Sequence, residues 1–284
     1  MKGLLTIILI ILQISVFAQS NLTEKAEPIV AEGKILYKSE MASWYGTDLF
    51  LENYKNQENI GGYFSYIDGE KATCIFYSKT EKPLVIGYVT FDSTYNIKTA
   101  NVNLKERQFT KLENEYYLLR TAADIHVSND TTIKSYKNTS LNFIPVINGN
   151  ENKVYILTAT TKSNIVYFGN DYLLKFDKDY KFISNKKLHQ NLIPNEYGAA
   201  IKETDGEVVG AVHMHLPNTG DYITATDICT LMLYEQIAKW KTYTVVSKNY
   251  VNLWNCETNT LVVITTATLD KISEDTKKRN KKKN

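Results

Sequence analysis

Two of the four histidines lie two residues apart, in Val212-His213-Met214-His215. On a strand, residues i and i+2 project from the same face, so both imidazoles can reach one metal ion. After eight intervening residues comes Thr224-Ala225-Thr226-Asp227, where a helical pattern begins. Asp227 can add an oxygen ligand to zinc and leave a fourth position for water, the arrangement of a catalytic zinc site. The same residues have plainer readings. Thr224-x-x-Asp227 is close to a helix capping box, with Thr224 as the N-cap. A His-x-His strand that holds no metal is the polar face of a sheet.

The elements around these residues set the geometry. Ala199 to Thr204 and Val208 to His213 flank Asp205-Gly206, a hairpin signal because both turn positions favour φ > 0. A two-residue turn there sets Glu196 opposite His215, where paired Cβ atoms are about 4.5–5.5 Å apart. Glu196 is then placed to take a proton from a metal-activated water. A helix is expected from about Ala225 to Lys241, with Ile228, Leu231, Met232, Tyr234 and Ile237 on its apolar side. Strands follow at about 242–247, 251–255 and 261–269.

Glu196, then His213-Met-His215-Leu-Pro217, then Thr224-x-x-Asp227 resembles the signature of the JAB1/MPN (JAMM) metalloproteases, over residues 194–260 only. The resemblance implies an α/β module that hydrolyses peptide or isopeptide bonds with a zinc-activated water. It implies His213, His215 and Asp227 as zinc ligands and Glu196 as general base. Thr224 stands where the family has a serine that helps hold the developing oxyanion.

Upstream, strand patterns dominate. Asn21 to Lys34 reads as an extended lead-in, and Ser39 to Asn56 as room for a short helix. Gly62 to Ile67 and Ala72 to Tyr77 flank Asp68-Gly69 as a hairpin. Phe91-Asp92-x-x-Tyr95 and Phe176-Asp177-x-x-Tyr180 each lie between strand-like flanks, as expected where an Asp closes a turn. Val154 to Thr160 and Asn164 to Phe168 form another hairpin, and His126 and His189 fall in loop contexts. The expected fold is α+β and β-rich. An antiparallel region of hairpins spans 19–190, and a small mixed α/β module with one main helix spans 191–272. A basic, disordered tail occupies 273–284.

Composition bounds the address and the partners. With 284 residues, 43% hydrophobic and 12% aromatic, the chain can bury a substantial core. Three Cys exclude a disulfide scaffold, and a single strongly apolar run excludes a polytopic membrane protein. That run, with Lys2 before it and Val16-Phe17-Ala18 after it, reads as a signal peptide cleaved near Ala18. Export to the periplasm or exterior follows, where Cys74, Cys229 and Cys256 could in part pair. Without Lys2 and the six basic residues from Lys277 to Lys283, the formal net charge of +2 becomes −5. The basic tail suits contact with an anionic surface. No nucleic-acid partner and no membrane span are expected. The leading functional expectation is a metal-dependent amide hydrolase acting on a peptide or protein. The alternative is an exported, non-enzymatic binding or structural protein without metal.

Overall fold

The computed structural model describes residues 2–149, 151–198 and 208–281, with side chains between 21 and 279. Among the described residues it is α+β and rich in strand, with 4 α-helices and 14 strands. The chain divides into two compact units: Lys34–Glu196, and Tyr197–Asn284 together with Met1–Gly33. Among the described residues, no helix is long and apolar enough to cross a membrane.

The first helix, α1, spans Lys2–Asn53, so the extended lead-in expected at Asn21 to Lys34 is helical. Its buried positions include Ala26, Gly33, Leu36, Ser39, Ala42, Ser43, Gly46 and Phe50. Their spacing of three and four is helical, but most are too small to register as a hydrophobic stripe. Small residues let neighbours approach closely. A Cβ added at Gly46 would lie 2.7 Å from the Cys74 Cβ, and one at Gly33 would lie 2.7 Å from the Ile228 Cβ.

In the 34–196 unit, β1 (Ile60–Asp68), β2 (Lys71–Ser78), β3 (Val85–Phe91) and β4 (Asn101–Asn103) form an antiparallel meander. The β1–β2 loop is Gly69-Glu70, one residue later than Asp68-Gly69, with Gly69 at φ 60° as its first central residue. Phe50, Phe76, Ile86, Val89 and Phe91 are buried in one cluster on this sheet. A second helix, α2 (Lys111–Asn129), was not expected, and it starts on a complete Thr110–Glu113 capping box. It packs on β5 (Thr139–Asn148), β6 (Glu151–Thr160), β8 (Tyr172–Phe176) and β9 (Phe182–Lys187), whose sheet order is β5-β6-β8-β9. Between them in sequence, β7 (Ile165–Gly169) pairs instead with β10 (Leu192–Glu196).

The two Phe-Asp-x-x-Tyr motifs fold alike. Asp92 and Asp177 each accept through Oδ1 the N–H two residues on, at 2.9 Å in both. Tyr95 and Tyr180 take φ 52° and 59° and donate their N–H to the Asp carbonyl. Each motif therefore ends a strand with one Asp-closed turn.

In the other unit, β11 (Gly210–Met214) lies parallel to β12 (Thr242–Val246), and α3 (Ala225–Ala238) makes the crossover between them. β13 (Tyr250–Asn255) and β14 (Thr260–Thr265) continue the sheet antiparallel, in the order β11-β12-β13-β14. Residues 225–231 of α3 are all buried, while Ile237, expected on the apolar side, is exposed. The helix stops where Lys239 turns left-handed at φ 58°. Next comes α4 (Thr266–Lys281), so most of the basic segment expected to be disordered is helical. The Thr265 hydroxyl accepts the Thr268 N–H at its start, and Glu274 lies 4.0 Å from Lys278 along it. Among the described residues no disulfide joins the three cysteines, all of which are buried.

One buried acid gives the 34–196 unit a pH signature. Glu40 is 8% exposed, and its Oε2 accepts the Asn142 Nδ2–H at 2.7 Å. Burial pushes its carboxyl up to about 7, with the Asn142 hydrogen bond offsetting only part of that. Tyr63 and Cys74, which feel its charge, are both pushed up to about 12 by burial and stay protonated in the same window. A carboxyl raised in the folded state stabilises it below the unfolded value of 4.5, and that stability is lost as pH rises through about 7. The loss is roughly 3 kcal/mol at 1.36 kcal/mol per pH unit. Glu40→Gln keeps an acceptor for Asn142 and should flatten the fall between pH 4.5 and 7 in chemical denaturation; an unchanged slope would show that Glu40 is not its source.

Candidate metal centre

The two imidazoles owe their position to strand alternation. On β11, Val212 and Met214 are 58% and 70% exposed, whereas His213 and His215 are 4% and 5% exposed. Both histidines therefore face α3 and occupy sites where a half-buried sheet carries apolar side chains. His215 lies just past the strand end, and its N–H donates to the Val246 carbonyl at 2.8 Å, extending the parallel ladder. The backbone is thus fixed at both residues.

The carboxylate comes from the first turn of α3. Thr224 is the N-cap, at φ −88° and ψ 161°, and both halves of the capping box are present. Its Oγ1 accepts the Asp227 N–H at 3.0 Å, and its own N–H donates to Asp227 Oδ2 at 2.9 Å. The Thr224 hydroxyl also lies 2.8 Å from the Thr226 hydroxyl. The approach to the cap is tied to the sheet by fully buried Asn252 on β13. Its Oδ1 accepts the Ile223 N–H at 3.2 Å, and its Nδ2 donates to the Asp221 carbonyl at 2.9 Å.

These elements bring His213, His215 and Asp227 together. One ligand atom from each lies within 4.8 Å of the others. His215 Nε2 is 3.1 Å from Asp227 Oδ2, and His213 Nε2 is 3.6 Å from Asp227 Oδ1. Tetrahedral zinc with bonds of about 2.0–2.1 Å sets neighbouring donors about 3.3 Å apart, near the two distances, which run to different oxygens of Asp227. The donor set also fits, since two imidazoles and a carboxylate suit zinc. On the far side of His213, Nδ1 lies 3.0 Å from the Tyr243 hydroxyl. This second contact was not foreseen from the sequence, although Tyr243 and Val245 alternate on β12 as His213 and His215 do along β11 and just past it.

The other expected participants lie differently. Glu196 ends β10 in the 34–196 unit, is exposed, and has Ile165 as its ladder partner where pairing with His215 was expected. The hairpin about Asp205-Gly206 that would have made that pairing falls on residues 199–207, outside the described residues. His189, read as a loop histidine, is buried in the 34–196 unit. Its Nδ1 is 2.8 Å from Asp171 Oδ1, which also accepts its backbone N–H. His126 lies on α2, 3.2 Å from Asp130 and stacked on Phe182.

Comparison of the chain with protein-family models, curated proteins and solved structures finds no match. The chemistry of the centre therefore stands on its own residues. Thr224→Ala removes the acceptor for the Asp227 N–H and should cost about 1 kcal/mol in denaturant unfolding. A cost near zero would show that the Thr224 Oγ1 bond to the Asp227 N–H does not stabilise the start of α3.

Proposed function

We propose that His213, His215 and Asp227 bind a divalent metal ion, zinc by the character of the donors, in an exported protein that hydrolyses amide bonds. The observation that carries the proposal is the convergence of two imidazoles and one carboxylate, from a strand and a helix start, at donor spacings of 3.1 and 3.6 Å. A purely structural cap requires Asp227 and Thr224. It does not require two buried histidines on the strand opposite.

Zinc held there would supply a Lewis acid and a water acidified to about neutral pH. The chain's own residues do the rest. Tyr243 and the β11 backbone orient His213, and the Thr224 N–H holds Asp227 Oδ2. The JAMM-like reading also needs a proton shuttle to the leaving amine, a role that the resemblance alone assigns to Glu196. Substrates in that reading are peptides or isopeptide-linked proteins. The resemblance of Glu196, His213-x-His215 and Thr224-x-x-Asp227 to the JAMM signature supports this choice of reaction.

One observation favours a second reading, in which the ion is structural or the protein only binds. The three donors are 5% exposed or less, and structural sites are closed where catalytic ones keep an open position. Assay of the zinc-loaded protein on peptide and isopeptide substrates separates the two. The hydrolase reading expects turnover that is lost when a chelator strips the ion and returns when zinc is restored. A retained ion with no turnover on either substrate class would favour the structural reading.

A further inference from the structure

We propose that Tyr243 is the positioning residue of this centre, fixing His213 as the imidazole that offers Nε2 to the ion. The inference rests on the metal-binding reading above. A histidine ligand has two ring nitrogens, and the hydrogen bond made by one decides which face of the ring the other presents. For His213 that partner is the Tyr243 hydroxyl, 3.0 Å from Nδ1, while Nε2 faces Asp227 Oδ1 at 3.6 Å. A proton on Nδ1, donated to the phenol oxygen, leaves the Nε2 lone pair directed at the place an ion would take.

The fold makes Tyr243 a fixed reference. β12 is bonded along both sides, parallel to β11 and antiparallel to β13. The register pairs Ala211 with Tyr243 and His213 with Val245, so Tyr243 lies diagonally beside His213 on the buried face. Its side chain is fully buried, and its ring packs against Trp240 at 5.2 Å between centroids. A phenol also accepts the bond without adding a second negative charge beside Asp227.

Core packing alone would be served as well by phenylalanine, which makes Tyr243→Phe the discriminating change. Zinc affinity is measured on the full chain by competition with a chromogenic chelator, and the cobalt form is read by its visible absorption. Tyr243→Phe should keep the wild-type circular dichroism, lose about 10–100-fold in zinc affinity and shift the cobalt bands. Wild-type affinity with an unchanged cobalt spectrum would overturn the inference. Imidazole nitrogen NMR of the zinc-loaded wild type is independent of how the variant folds. It should show the His213 proton on Nδ1, and a proton on Nε2 would overturn the inference. A wild type that binds no zinc would instead remove the metal reading on which it rests.

Discussion

Two imidazoles and a carboxylate buried together have lost their hydration and must be satisfied where they stand. An unpaired charge there would cost several kcal/mol, a large share of the stability of an ordinary domain. The local architecture follows from that constraint. Thr224 gives Asp227 a backbone donor, Tyr243 gives His213 a hydroxyl, and His215 faces the carboxylate. A metal ion held there would set positive charge against the Asp227 carboxylate, which lies 3.1 Å from His215 Nε2 and 3.6 Å from His213 Nε2.

The βαβ crossover delivers the parts. A parallel pair needs a long connection, and here it ends in a helix whose first turn points back at the strand it left. The helix start suits a carboxylate in two ways, through its free N–H groups and its positive dipole end. The same Asp227 is therefore both cap and candidate ligand. Asn252 on β13 ties the approach to that start to the same sheet that carries β11.

What could be read from the sequence was local. The Asp-closed turns at Asp92 and Asp177 fold as expected because a side chain and a backbone two residues away settle them. His213 and His215 share a face because strand alternation demands it. Elements whose signal lies in packing were missed. The buried stripe of α1 is made of Ala, Gly and Ser, which look neutral until the partner surface at Cys74 or Ile228 is known. In α2, Thr110-x-x-Glu113 followed by Tyr116, Leu119 and Ala123 does carry a capping and periodicity signal, but its aromatics resemble strand residues. Glu196 was placed by hairpin logic, which considers only the nearest partner along the chain. Its strand pairs instead with β7, about thirty residues earlier.

Metal content is the most direct test of the central claim. The purified protein, incubated with zinc and freed of loose ions, is compared with a His213→Ala/His215→Ala double variant by elemental analysis. One zinc per chain in the wild type and none in the folded variant is the result expected of a His213–His215–Asp227 centre. Absence of bound zinc from both would contradict it, and would leave the cluster as hydrogen-bonded packing between a strand and a helix cap.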